Sequence, residues 1–170
     1  MGYVNDTHMA RSIPPSDFEF SAGTWTPAIA SNIVSIDRTA ADASFTALIP
    51  IRMDGNSVAL KGCQLTSIDV WYSIGTAAAD DFATVELEKM VLGADDTAPS
   101  GAAVATSCDA GHDSAAERLA VDGDHCLTVT LTAPAWVDDG DFYWLQLVID
   151  CAATTVFKFF GARANFTLRV

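Results

Sequence analysis

The segment Asp141–Val170, DFYWLQLVIDCAATTVFKFFGARANFTLRV, decides the fold class of this chain. Phe142 to Cys151 is a dense apolar run. Tyr143, Leu145, Leu147 and Ile149 share one face of it, and Phe142, Trp144, Gln146 and Val148 share the other. Successive side chains of a strand point to opposite faces, so this run presents two largely apolar faces. Such a strand is central in its sheet, or its second face is covered by a neighbour. Val156 to Val170 is a second apolar run, crossed by Lys158, Arg163 and Arg169. Only Ala152 to Thr155 separates the two runs, and both are rich in aromatic and β-branched residues. Together they read as a β-hairpin.

Upstream, the same period recurs. In Ala43–Met53, Phe45, Ala47, Ile49 and Ile51 share a face, and Pro50 marks an edge or a bulge. Asp54-Gly55-Asn56 reads as a tight turn. In the strand within Ser57–Ile74, Ile68, Val70, Tyr72 and Ile74 face inward, while Ser67, Asp69, Trp71 and Ser73 face water. Phe82–Leu92 suits a strand or a short helix; its strand neighbours favour strand. In His125–Leu131, Leu127, Val129 and Leu131 point inward and Cys126, Thr128 and Thr130 outward. Shorter strands are expected at Phe18–Phe20, Ile33–Ile36 and near Trp25. The region 93–124 is long and poor in large apolar residues, with a helical turn expected at Ser114–Leu119. Seven to nine strands and no long helix imply an all-β chain: an antiparallel β-sandwich of the jelly-roll kind. Residues 1–16, polar and ending near Pro14-Pro15, read as a flexible N-terminal arm, and residues 17–170 as the sandwich domain.

At 170 residues the chain fits one domain and buries roughly 70% of its extended surface without staples. The formal net charge is −13, and Glu occurs only at Glu19, Glu86, Glu88 and Glu117, so Asp carries most of the acid. Asp clusters in Gly- and Ala-rich loops, where its side chain bonds nearby amides. This balance argues against nucleic acid, which needs clustered Lys and Arg, and against an anionic membrane surface. The N-terminal segment carries no apolar signal core, and the Phe142–Phe160 stretch is broken by Gln146, Asp150 and Lys158, so no membrane span is expected. Cys63, Cys108, Cys126 and Cys151 read as thiols of a reducing cell.

Chemistry-bearing patterns are sparse. No nucleophile elbow, phosphate loop, paired-His motif or CxxC occurs, so no catalytic residue is assigned. Cys108, His112, His125 and Cys126, with Asp109, Asp113 and Asp124, hold zinc-type donors. Their spacing is irregular, and adjacent His125 and Cys126 point to opposite faces of a strand, so they read as loop polar groups and a strand-start histidine. The turns at Asp122–Asp124 and Asp138–Asp141 offer oxygen ligands for calcium but lack the twelve-residue loop pattern. No metal or cofactor is therefore expected. Trp25, Trp71, Trp136 and Trp144, with Tyr72 and Tyr143, invite a sugar-stacking reading, led by Trp71 on the polar face of its strand. Phe142 and Trp144 lead the leftover apolar face, so Trp144, Phe142, Trp136 and Trp71 are the candidate partner or oligomer contacts.

The pattern ASFTALIPI, LTSIDVWYSI, ATVELEKMVL, LTVTL and the closing FYWLQLVI…VFKFFGARANFTL, spanning Asp37–Val170, resembles small jelly-roll β-sandwich proteins of phages. These are virion-associated proteins of the head decoration (cement) or fibre-tip type. The resemblance implies a non-enzymatic virion structural protein that binds the major capsid protein or another virion protein. It implies assembly in the host cytoplasm as a homo-oligomer, with a trimer expected. The alternative it implies is a carbohydrate- or receptor-binding module. The resemblance lies in strand alternation and transfers no functional residue.

Overall fold

The computed structural model describes residues 6–53, 62–76, 81–93, 97–121 and 123–169. Twelve strands occur among them: β1 Asp6–Ile13, β2 Glu19–Phe20, β3 Trp25–Ala30, β4 Ile33–Arg38, β5 Ala43–Ile51, β6 Gly62–Gly75, β7 Asp81–Val91, β8 Ser100–Val104, β9 Thr106–Cys108, β10 Gly123–Trp136, β11 Asp141–Cys151 and β12 Val156–Arg169. One helical turn, α1 (Ala115–Arg118), is closed by a capping box between Ser114 and Glu117. The strands form two antiparallel sheets, β3-β4-β12-β6-β10-β9 with β1 also on β12, and β2-β5-β11-β7-β8.

The pairings nest. β7 pairs with β8, β6 with β10, β5 with β11 and β4 with β12. A long hairpin rolled up in this way is a jelly roll, so the sandwich architecture expected from the alternation is present. The strand faces follow the sequence period. Phe45, Ala47, Ile49, Ile51, Leu127, Val129, Leu131, Tyr143, Leu145, Leu147 and Ile149 are all buried between the sheets. Bulges re-phase the long strands. In β6 the inward positions run Cys63, Leu65, then Ile68, Val70, Tyr72 and Ile74, with the slip at Thr66–Ser67.

The segment that decided the fold class is arranged differently from the expected hairpin. β11 lies between β5 and β7, whereas β12 lies in the other sheet beside β6, so the two do not pair. The Ala152–Thr155 link is a turn, its Thr155 N–H donating to the Ala152 carbonyl at 3.0 Å, that lifts the chain across the core. The reason is burial. A hairpin would set the two runs side by side in one sheet; crossing sets Leu145 and Leu147 on one wall and Phe157 and Phe159 on the opposite wall of a shared core.

Within the segment read as an arm, Asp6–Ile13 form a strand along β12, from Asp6↔Arg169 to Ile13↔Ala162. Only Ile13 of this strand is buried. Its approach depends on Gly161, which bulges β12 at φ +135°; a Cβ there would stand 2.9 Å from the Ile13 carbonyl oxygen. Pro50 sits where β5 has a single neighbour among the described residues, because β2 pairs only as far as Leu48. The Asp54–Asn56 turn, the first residues of the expected 57–74 strand, and Asp122 lie outside the described residues.

Candidate binding faces

Each sheet has an outer face, and the candidate residues divide between them. On the β5–β11–β7 sheet the outward side chains come in cross-strand register. Phe142 pairs with Met90, Trp144 with Pro50 and Glu88, Gln146 with Leu48 and Glu86, and Val148 with Thr46 and Thr84. Phe142, Trp144, Met90, Leu48 and Val148 therefore form an apolar stripe above the buried Pro50. Glu19, Glu86 and Glu88 border it. Phe142 is 43% exposed. At one end of the stripe Trp144, Phe142, Pro50, Met53, Arg52 and Glu19 line a pocket of about 420 Å³. No other element among the described residues lies over this face.

The outer face of the β4–β12–β6–β10 sheet is organised by polar contacts. Asp69, nearly buried, accepts from the Arg163 Nη2 and Asn165 Nδ2 donors at 2.8 Å each and from the Thr128 hydroxyl at 2.8 Å. Asn165 also donates to the Ser67 hydroxyl oxygen at 3.1 Å. Burial works to raise the Asp69 carboxyl, but the Asn165, Arg163 and Thr128 hydrogen bonds outweigh it and hold the group below the usual carboxylate value. Trp71 and Trp136 are half-buried on this face, and each has a guanidinium over its ring: Arg163 at 5.2 Å and Arg169 at 5.1 Å. The four aromatic candidates are thus two pairs on opposite walls, with Phe142 and Trp144 together and Trp71 and Trp136 apart from them.

A third surface gave no signal in the alternation. The β3–β4 hairpin turns at Ser31 and Asn32, both at positive φ, a geometry that matches strand twist. Around its tip Ile29 is 78% exposed, with Ile33 and Val34 also exposed. The readable clue is a Ser-Asn turn set between apolar residues that have no inward partner.

The loop before β10 and the start of β10 carry the remaining titratable cluster. Asp109 Oδ1 accepts the Thr128 amide at 2.8 Å and Asp109 Oδ2 lies 2.8 Å from His112 Nδ1. Burial would raise this carboxyl, yet those hydrogen bonds lower it on balance. His112 Nε2 stands 3.2 Å from His125 Nδ1, and His125 Nε2 donates to the Ala120 carbonyl at 2.8 Å. Arg118, buried, donates to the carbonyls of Phe82, Ala83 and His112, pinning α1 to β7. Tyr72 stacks on His125 at 4.6 Å and gives its hydroxyl proton to the Arg118 carbonyl. Cys126 points out of the strand and Cys108 is half-buried; the thiols of both are raised, chiefly by burial. In the Asp138–Asp141 turn, the Asp141 carboxylate is engaged by the Asp138 amide at 2.9 Å and by Lys89 at 2.7 Å. Among the described residues no three His, Cys, Asp or Glu side chains form a ready ligand set.

No protein-family model and no curated protein matches the chain. Solved structures similar to it include a carbohydrate-binding module in complex with β-1,4-galactotriose, at TM-score 0.35 and 8% identity, covering 96% of this chain and 88% of that one. A second belongs to the carbohydrate-binding modules of the β-sandwich superfamily, at TM-score 0.37 and 13% identity, covering 92% and 55%. A third is a carbohydrate esterase of a Shiga toxin-encoding bacteriophage, at TM-score 0.40 and 14% identity, covering 92% and 96%. This likeness concerns the β-sandwich alone and carries no statement about ligand or activity.

Proposed function

We propose that the protein is a non-enzymatic structural protein of a virus particle, a decoration protein that docks on the capsid surface through the outer face of the β5–β11–β7 sheet. One observation carries the reading. A central strand places Phe142, Trp144 and Val148 on a face that no other element among the described residues covers. Charge narrows the partner. The stripe is bordered by Glu19, Glu86 and Glu88, so pairing this face with its own copy sets carboxylates against carboxylates. A different surface rimmed by Lys or Arg meets it without that repulsion. A capsid protein fits this requirement, and so does a cyclic trimer, in which each face meets a different face of its neighbour.

The test is native mass together with particle association. Wild-type chain is expected to run as a trimer and to co-sediment with capsids. Trp144→Ser is expected to lose both while keeping its far-ultraviolet spectrum. A wild-type monomer that binds no capsid shell overturns the reading.

A second reading, carbohydrate or receptor binding at a fibre tip, is favoured by Trp71, which is half-buried rather than core. Asp69, Asn165 and Ser67 supply hydrogen-bonding groups on the same face. Against it, the Arg163 guanidinium already lies over the Trp71 ring where a sugar would stack. Glycan-array binding lost in Trp71→Ala would favour this reading over docking.

A further inference from the structure

The imidazoles of His112, in the β9–β10 loop, and of His125, at the start of β10, are arranged as metal ligands are. A histidine that binds a metal through one ring nitrogen almost always donates the other N–H to a carboxylate or a backbone carbonyl, which fixes the ring. Both rings meet this condition here. His112 has Nδ1 on the Asp109 carboxylate at 2.8 Å, and His125 has Nε2 on the Ala120 carbonyl at 2.8 Å. Their other nitrogens, His112 Nε2 and His125 Nδ1, converge to 3.2 Å. Two nitrogens bound at about 2.05 Å to one tetrahedral zinc stand about 3.3 Å apart. The observed separation matches that spacing.

The supports of the rings are rigid. His125 is 6% exposed and stacks on Tyr72 with an interplanar angle of 4°. Asp109 is fixed by the Thr128 amide. The rings open on a pocket of about 330 Å³, lined also by Glu117, Asp124 and Cys126. As direct hydrogen bonds, the Asp109–His112, His112–His125 and His125–Ala120 contacts form together only when the two rings carry three protons between them, one more than two neutral imidazoles hold. A divalent ion supplies the same positive centre between the rings.

We propose that His112 Nε2 and His125 Nδ1 bind one divalent transition metal of the zinc class, with Asp109 as the positioning residue and water completing a four-coordinate site. The site lies on the opposite sheet from the proposed docking face, and neither depends on the other.

The experiment uses the full chain, stripped with chelator, and titrates it with Zn²⁺ alone and with Co²⁺ alone. Saturable binding at one ion per chain, a raised thermal midpoint with Zn²⁺ and the intense visible spectrum of four-coordinate Co²⁺ are expected. His112→Gln should abolish all three. Asp109→Asn should weaken binding about 10–100-fold, and His8→Gln should leave it unchanged. Because a variant could misfold, wild-type protein is also followed by imidazole nitrogen NMR, in which Zn²⁺ should shift His112 Nε2 and His125 Nδ1 and no other ring. Six-coordinate Co²⁺, unshifted rings, or equal Zn²⁺ affinity in wild type and His112→Gln overturns the proposal.

Discussion

The two outer faces of the sandwich are built from the same alternation and do opposite things with it. On the β6–β12 wall the outward positions are filled by Asp69, Trp71, Arg163 and Asn165, and these bind one another. On the β11 wall they are filled by Phe142, Trp144, Gln146 and Val148, and no other element among the described residues covers the apolar stripe they lead. A face whose polar groups are mutually satisfied contributes to stability and asks for no partner. A face whose apolar groups stay in water contributes little to stability and is lowered in free energy by any surface that covers it. The comparison predicts that damage to the first wall is read in unfolding, and damage to the second in association.

The largest expected loss is Asp69→Ala. It strips Asn165, Thr128 and Arg163 of their shared acceptor, and a cost of about 2–3 kcal/mol in urea unfolding follows, moderated because Arg163 is half-exposed and rehydrates. A smaller effect is set by pH. The folded-state values of Asp69 and Asp109 lie below those of an unfolded Asp. Their stabilisation is therefore complete above about pH 4 and is lost as pH falls through the depressed folded values. Denaturation midpoints measured down the acid range should fall more steeply for wild type than for Asp69→Asn; identical slopes would place the acid sensitivity elsewhere. Trp71→Ala removes the ring beneath Arg163 and should cost about 0.5–1 kcal/mol without changing native mass. Least of all, Phe142→Ser should change unfolding by no more than about 0.5 kcal/mol, since the ring is 43% exposed. That variant should nevertheless weaken association in light scattering. If Phe142→Ser unfolds the chain and leaves association intact, the contrast between the walls is wrong.

The alternation itself was legible. Every inward residue predicted for β5, for the 68–74 stretch of β6, for β10 and for β11 is buried, because a period of two reports which face meets the core. Pairing was not legible, because alternation does not name a partner. A four-residue link between two apolar runs suits a hairpin and a crossing equally, and only the demands of the common core separate them. β1 was missed as a strand because seven of its eight residues are exposed, so DTHMARSI has no apolar period to detect. β8 and β9, SGAAV and TSC, are too short and too small-residued to stand out from loop. The segment Ser114–Leu119 was readable because a Ser followed three residues later by Glu is itself a helix start. For the loop cluster, strand parity correctly separated His125 from Cys126, and His125 shares the inward parity of Leu127, Val129 and Leu131. What parity could not show is that the preceding loop folds back and brings His112 to the same place.

The nested pairing of strands has a kinetic consequence. β12 forms the middle of its sheet, with β6 along one side and β4 and β1 along the other, yet it is synthesised after every other strand of the two sheets. Until it arrives, β4 has no route to β6, and Phe157 and Phe159 are missing from the core. Only the β7–β8 pair at the centre of the roll joins consecutive strands among the four nested rungs, so closure is dominated by contacts between distant parts of the chain. Folding of this kind is slow and exposes unpaired edges while it waits. A nascent chain halted before Val156 is therefore expected to remain protease-sensitive, and protection to appear in one step once β12 is free to insert.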